Sequence, residues 1–483
     1  MDYLYPTYAI DVDDELFREC CRVAVRLLDE VGFTVPHDGF LEAVRRHRGL
    51  RLEGHRVRFE PALVCEYMDQ FIPARRYPLP LPDSHIEPAT EWTVRTAGYS
   101  MNVLDLETEQ PRLATCEDLR DLVKLAGSLG IGGQYMAMPQ DLPPLMRAVA
   151  CFKTCWELSD DIQPYDYQQP EQVGFIYEMH QVMGREMDIT LTVPSALCVD
   201  PKDIDIFLQW HPIWKRNRDI NFRVLDYGMV GIMKPLSATG CATMTLAETL
   251  ALHILLNLYD PRVQVPVVMF AGLPTDMRHA CWAFGSPRKH LFSYLDSRIG
   301  SHLQGWAPGE HCPGSVLLET SSAALDEQAA LEKMACGLLG AMQGARSFDY
   351  AGTLCVDDLY SGAQLIMDIE MVAYIREMIE AFNPHPDIIS IEGLFEECRD
   401  VGLGLDTFIS HPNTARRVRN VVPSSQRIVR EKLNTWLAHR TTLKDRARDE
   451  ALERIRTFEP RRLPEDMQAA LDAIYARAEA ALG

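Results

Sequence analysis

From about residue 110 onward, short apolar runs alternate with longer segments of helical periodicity, and few folds accommodate such an alternation. Ile131–Ala137, Ile189–Leu197, Asn221–Asp226, Val265–Ala271, Ser315–Thr320 and Ala345–Tyr350 read as strands. Between them, Cys116–Leu129, Met244–Leu258, Asp326–Gln343 and Gln364–Phe382 place apolar residues three and four apart. Strands separated by helices pair in parallel, because the crossover returns the chain to the same end of the sheet. The expected fold is α/β, a TIM (β/α)8 barrel. Two weaker strands, near Ala150–Trp156 and Ile388–Ile391, are needed to complete the eight. An open doubly wound sheet is the rival arrangement.

The flanks have a different texture. Leu16, Cys20, Val23, Leu27 and Val31 mark a first helix ended by Gly32, and Leu50–Phe59 reads as two strands around a Glu-Gly turn. Pro61 opens another helix, residues 74–90 form a proline-rich linker, and Trp92–Glu107 resembles a β-hairpin. After Ser424 the chain is charged and helical, with an apolar stripe of Ala470, Leu471, Ile474 and Ala478 suited to packing on the parent domain or a second subunit. The expected division is an N-terminal helical cap with β-hairpins (1–110), a catalytic barrel (111–423) and a C-terminal helical extension (424–483).

Charge and cysteine usage narrow the function. With 48 basic and 69 acidic residues the 483-residue chain carries −21, which repels a phosphate backbone and suits a cationic ligand or a basic docking partner. The start, MDYLYPTYAIDVDDE, lacks the basic and apolar regions of a signal peptide, and no apolar run approaches ~20 residues. Thirteen scattered cysteines fit free thiols in a reducing compartment. A soluble cytoplasmic protein is expected, with neither nucleic acid nor membrane as partner.

Generic catalytic motifs are nearly absent: there is no P-loop, no GxGxxG after a strand, no GxSxG and no HExxH. Cys151 and Cys155 share a helical face and His311 adjoins Cys312, but no further ligands stand at supporting spacing, so no metal site is expected. Position is more informative. In a (β/α)8 enzyme the functional residues sit where strands end. Those ends carry Gln134 and Tyr135, then Asp226 and Tyr227, then Glu319 and Ser322. Phe348, Asp349 and Tyr350 end the strand Ala345–Tyr350, and Tyr99 and Trp306 join from flanking loops. A quaternary ammonium offers no hydrogen-bond donor, so only aromatic faces and nearby carboxylates can hold it, at about 0.5–2 kcal/mol per close cation–π contact. The same residue types also pack against helices and cap them, and both roles remain open for each position.

The stretch Asp326–Lys333 (DEQAALEK), after an apolar strand and Thr320-Ser321-Ser322, resembles the D-x-Q-A-x-x-E-K signature of the trimethylamine methyltransferase family. RLLDEVGFTV, LRLEGHRVRFEPALV, VLDLETEQPRLATCEDLRDL, PLSATGCATMTLAE, MDIEM and HPNTARR follow the family's order and spacing over nearly the whole chain. The resemblance implies a (β/α)8 barrel with terminal helical additions, a homo-oligomer, and methyl transfer from a methylated amine to the Co(I) centre of a separate corrinoid protein. No tightly bound cofactor is expected, since the corrinoid belongs to the partner. Glu319 and Asp349 would position the substrate. A carboxylate gripping the nitrogen directly would stabilise the ground state, because the cation becomes neutral as the methyl leaves.

Departures from the family pattern carry their own message. Family members that use trimethylamine have pyrrolysine just before the D-x-Q motif, near Ser322, and no lysine lies between Gly314 and Gln328 here. The chain is similar to the branch lacking pyrrolysine, whose donors are quaternary amines such as glycine betaine, proline betaine and carnitine. Glu248 stands where the family has glycine, the proline near Ala242 is missing, and Ser347–Tyr350 replaces a histidine-rich pattern. An acid at 248 would favour a cation without a carboxylate, such as choline. A zinc-dependent corrinoid methyltransferase using His311 and Cys312, and a non-catalytic quaternary-amine-binding protein, are the alternatives.

Overall fold

The computed structural model describes residues 14–74, 91–164, 169–226, 228–263, 265, 272–279, 281–303, 315–342, 345–381, 391–404, 407–421, 425 and 427–483. Helix α1 (Asp14–Arg26) runs into a π-turn over Leu27–Val31 that Gly32 ends, its N–H bonding to Leu27 O. A small antiparallel sheet follows, built from β1 (Phe33–Thr34), β2 (Leu50–Glu53) and β3 (Arg56–Phe59), with α2 (Asp38–Val44) between the first two. The expected Glu-Gly hairpin is β2–β3, and Val57 and Phe59 are its buried face. Helix α3 (Pro61–Ala74) begins on Pro61 as read from the sequence.

The stretch 92–107 is not a hairpin. Strands β4 (Thr93–Thr96) and β5 (Asn102–Leu104) pair with different late strands, while the residues between them run beside 133–138, with Ser100 N–H on Met136 O and Met138 N–H on Ser100 O. These backbone groups find partners on a parallel neighbour, so the chain has no reason to fold back. Strand β6 (Pro111–Leu113) pairs antiparallel with β5. Helix α4 (Cys116–Leu129) has the bounds read from the sequence, fixed by a Thr115–Asp118 capping box and by Gly130 in the left-handed conformation.

The strand expected near Ala150–Trp156 lies inside α5 (Pro144–Leu158), whose fifteen residues are too long for a strand. Ile162 takes the parallel position instead, bridging Gly133, which in turn bridges Thr96 of β4. A Cβ on Gly133 would sit 2.3 Å from Thr96 O, so this close approach requires glycine. Helix α6 (Pro170–Met183) leads to β7 (Met187–Val193), α7 (Pro201–Asn217) and β8 (Ile220–Asp226), with β7 and β8 parallel over seven residue pairs. Short β9 (Met229–Val230) precedes α8 (Ala238–Tyr259) and pairs in parallel with β10 (Leu273–Asp276). After β11 (Cys281–Trp282) and α9 (Lys289–Leu303) come β12 (Val316–Leu317), α10 (Glu327–Met342) and β13 (Ser347–Ala351). Strands β14 (Thr353–Leu354) and β15 (Leu359–Tyr360) and helix α11 (Gly362–Ala381) complete the central region.

The result is a mixed α/β fold in which parallel strands alternate with helices. One parallel succession runs β12–β13–β4 and on through Gly133 to Ile162, and a second pairs β7 with β8. A closed eight-stranded ring is not formed by pairings among the described residues, and most of the expected strand at 265–271, like that at 388–391, lies outside them.

Two apolar layers hold the helices to the strands. Ile189, Leu191, Val193, Phe222 and Val224 alternate along β7 and β8 and pack with α7, α8 and the N-terminal sheet. Helix α8 is buried almost all round, so its apolar length marks a core helix and not a membrane span. The second layer joins Leu318, Phe348, Ala351 and Ile375 to Ala447 and Ala451 of the helix Leu443–Thr457. The C-terminal helix Glu465–Leu482 buries Leu471, Ile474 and Ala478 against α5 and α6, which answers the stripe seen in the sequence.

Candidate active site

Buried charge collects where the parallel strands end. Asp226 closes β8, and Lys234, in the loop after β9, reaches back to it. The same ammonium bonds Glu248 and, at 2.9 Å, Thr245 Oγ, both on the first half of α8. Glu248 also accepts Leu197 N–H at 2.6 Å, from the segment after β7, and Asp226 accepts Gly228 N–H at 3.0 Å. On α9, Asp296 accepts Gly272 N–H at 2.9 Å with one oxygen, while the other has no hydrogen-bond partner among the described residues. Lys234 is 5% exposed and the three carboxylates 0–2%, so one buried cation serves three acids.

That imbalance perturbs the acids. Burial, aided by the Asp226 charge, raises Glu248 to about 8 against the pull of Lys234. Burial raises Asp296 to about 8 although Gly272 N–H favours its charged form. Burial works against charge on Lys234, but Asp226 and Glu248 outweigh it and raise its pKa. At neutral pH Glu248 and Asp296 therefore retain protons. Glu248 is held by Lys234 and a backbone N–H, so the expectation that it selects a choline-like cation loses its basis: its carboxylate already has partners.

A second group follows β12. Glu319, 2% exposed, pairs with Lys289 at the start of α9, and the Lys289 ammonium lies 4.8 Å from the centre of the Phe284 ring. Trp282 stacks on Phe284 with centroids 5.2 Å apart and planes 10° from parallel. Glu332 accepts Thr320 Oγ at 2.6 Å and Ser321 N–H at 2.8 Å, fastening α10 to the strand end. Ser322 Oγ bonds Asp326 at 2.8 Å, and Asp326 accepts Ala329 N–H at 2.9 Å as a helix cap. Fully buried Lys333 pairs with Asp368 at 2.7 Å, and Asp368 also accepts Gly352 N–H. The two sequence motifs DEQAALEK and MDIEM thus meet through one buried ion pair.

The residues singled out by strand-end position fall into separate groupings. Asp226 and Glu319 anchor the two ionic clusters. Tyr99 and Tyr135 face each other with ring centroids 6.0 Å apart, and beside them Gln134 Oε1 is buried with no hydrogen-bond partner among the described residues. Asp349 accepts from Ser347 Oγ at 3.2 Å and lies 3.9 Å from Arg95. Tyr350 takes a left-handed φ of 63°, and its carbonyl accepts Thr353 Oγ. Phe348 does not line a rim: alternation along β13 sends it into the apolar layer, stacked on Trp92 at 5.5 Å. Ser322 serves as the capping neighbour of α10. Tyr227, Trp306, His311 and Cys312 lie outside the described residues.

The three buried lysines were missed, as were Glu248 as an ionic partner and Asp296. Lys333 carried a signal, since it belongs to the DEQAALEK motif. Lys234 and Lys289 sit in loop and helix-start positions where lysine is ordinarily solvated, so nothing local marked them. Among the described residues no group of three or more His, Cys, Asp or Glu is arranged to hold a metal ion. Burial drives the Cys155 thiol above its ordinary range. A cavity of about 410 Å³ lined by Phe152, Trp156, His180, Arg185 and Asp188 lies at the opposite, N-terminal end of β7.

The described residues thus form an α/β protein whose parallel strands end in buried, paired carboxylates, one of them near a stacked aromatic pair. The family model described as trimethylamine methyltransferase (MTTB) matches residues 5–483, and the chain belongs to that family. It is similar to the glycine betaine methyltransferase of Desulfitobacterium hafniense (strain Y51), at 21% identity over 99% of this chain and 98% of that protein. It is also similar to the trimethylamine methyltransferase MttB of D. hafniense (strain DSM 10664 / DCB-2), at 25% identity over 54% of this chain and 50% of the relative. The MttB of Methanosarcina thermophila matches at 25% over 45% of this chain and 43% of its own length.

Proposed function

We propose that the protein moves a methyl group from a quaternary amine of the betaine class to the Co(I) centre of a separate corrinoid protein. The observation that carries this reading is the end-to-end similarity to a glycine betaine methyltransferase, against similarity over about half the chain to the MttB proteins. The absence of lysine between Gly314 and Gln328 points the same way. In the proposed reaction the Co(I) electron pair forms a bond to the methyl carbon, the C–N bond breaks, and nitrogen keeps its pair as a neutral tertiary amine. No proton needs to move. The enzyme's contribution is to align the donor and to withhold water, so the relevant residues are positioning groups.

The parallel strand–helix succession supports a (β/α)8 barrel for the complete chain, with the ionic clusters at the C-terminal ends of its strands. The reading further places the protein in the cytoplasm, where a Co(I) partner can be kept reduced, and as a homo-oligomer.

The test mixes purified protein with a Co(I) corrinoid protein from the same source and a panel of glycine betaine, proline betaine, carnitine, choline and trimethylamine. Methyl-cobalt absorbance should appear with a betaine and not with trimethylamine. Absence of methyl-cobalt with every quaternary amine overturns the proposal.

A further inference from the structure

We infer that the Lys289 ammonium occupies this enzyme's own quaternary-ammonium position, as an internal stand-in that the substrate must displace. The inference rests on the proposed function and names the residues that would receive the substrate's charged end. A cation over an aromatic ring and against a buried carboxylate is the arrangement a methylated ammonium needs. That arrangement exists here, with Lys289 as the cation, Phe284 as the ring and Glu319 as the carboxylate.

The surrounding chain builds the arrangement deliberately. Ala283 N–H bonds Pro274 O at 2.8 Å, which ties the start of the loop 283–288 to β10, and Lys289 N–H bonds Ser286 O at 2.9 Å in a turn that leads into α9. In its middle, a Cβ on Gly285 would sit 2.0 Å from the Glu332 carboxyl. Glycine lets the loop approach α10 this closely without displacing the Glu332 carboxyl that Thr320 and Ser321 hold, and that approach carries Phe284 to the strand end occupied by Glu319. Trp282 stacks behind, with its Nε1 buried and lacking a hydrogen-bond partner among the described residues.

Physical necessity explains the stand-in. A carboxylate as buried as Glu319 cannot remain charged without a counter-cation. Before substrate arrives, Lys289 supplies it. Two cations cannot share one carboxylate at low dielectric, so substrate entry requires Lys289 to withdraw or lose its proton. Burial eases the second route by lowering Lys289, working against the pull of the Glu319 carboxylate. The other titratable groups facing it are Glu319, the Cys336 thiol, which burial raises, and His290, which burial lowers. Burial favours the neutral form of both His290 and Cys336, so Lys289 is the cation that sets the local charge.

Binding of tetramethylammonium and of glycine betaine to the full-length protein tests this by calorimetry, with tert-butanol as the uncharged isostere. Lys289→Met should melt at a lower temperature than the wild type. Tetramethylammonium should restore its midpoint and bind at least about five-fold tighter than to the wild type, and tert-butanol should do neither. The wild-type dissociation constant should fall from pH 7 to 9, and that slope should vanish in Lys289→Met, which retains Asp296 and Glu248 as a control. If Lys289→Met does not fold, wild-type protein is labelled with an amine-directed reagent and mapped by mass. Lys289 should then be modified only when tetramethylammonium is present. Unchanged affinity and pH slope in Lys289→Met, or labelling of Lys289 indifferent to the cation, overturns the inference. Methyl transfer from a betaine by the wild type would persist in that case, so failure of the broader proposal registers separately.

Discussion

Asp296→Asn should make the protein more stable at neutral pH. The wild-type carboxyl is 2% exposed, spends one oxygen on Gly272 N–H and leaves the other without a partner among the described residues, close enough to Asp226 and Lys234 to feel both charges. Burial raises its pKa from 3.8 to about 8, so the folded protein keeps a proton that the unfolded chain releases. Between those limits stability falls as pH rises, by at most about 1.4 kcal/mol per pH unit from this group. Below 3.8 both states are protonated and the effect is absent; above 8 it is complete. At pH 7 the accumulated cost is on the order of 4 kcal/mol. Asparagine keeps the acceptor for Gly272 and cannot ionise. Urea unfolding followed by tryptophan fluorescence, at intervals from pH 4 to 7.5, should show the two proteins close together at pH 4 and diverging above it, with the variant ahead. Parallel curves across that range, or a variant weaker at pH 7, would refute the reasoning.

The remaining predictions concern other parts of the fold. Lys234→Met leaves Asp226 without its cation and Glu248 without its donor, and should lower stability by about 3–5 kcal/mol, read by the same urea series. The double variant Lys234→Met with Glu248→Gln should recover part of that loss. Gly133→Ala forces a Cβ to within 2.3 Å of Thr96 O at a φ of +139°, and should show up as a much lower melting midpoint or as insoluble protein. Leu471→Ala removes a fully buried contact of the C-terminal helix and should cost about 2–5 kcal/mol, measured by thermal unfolding, without altering methyl transfer.

Much of this organisation was legible in the sequence, and the reason is periodicity. Strand and helix repeats are local, so β7, β8, β13, α4, α10 and α11 were placed to within a few residues. The β2–β3 hairpin and the C-terminal stripe were equally plain. Reading failed where a partner distant in sequence overrode the local pattern. The segment 92–107 has the alternation of a hairpin, yet its two strands are claimed by β13 and β15, some 250 residues away. Phe348 was the right residue type at a strand end but on the wrong face, since alternation along β13 is fixed only once α11 covers one side.

For the candidate site the division is sharper. The sequence alone determined that carboxylates end the strands, that the DEQAALEK motif is present, and that no lysine stands at the pyrrolysine position. Tertiary structure decided which cations meet those carboxylates. Lys234, Lys289 and Lys333 are ordinary lysines until folding removes water around them, whereupon each must find an acid or lose its charge. Desolvation is a property of the whole packed chain, and no local run of residues encodes it.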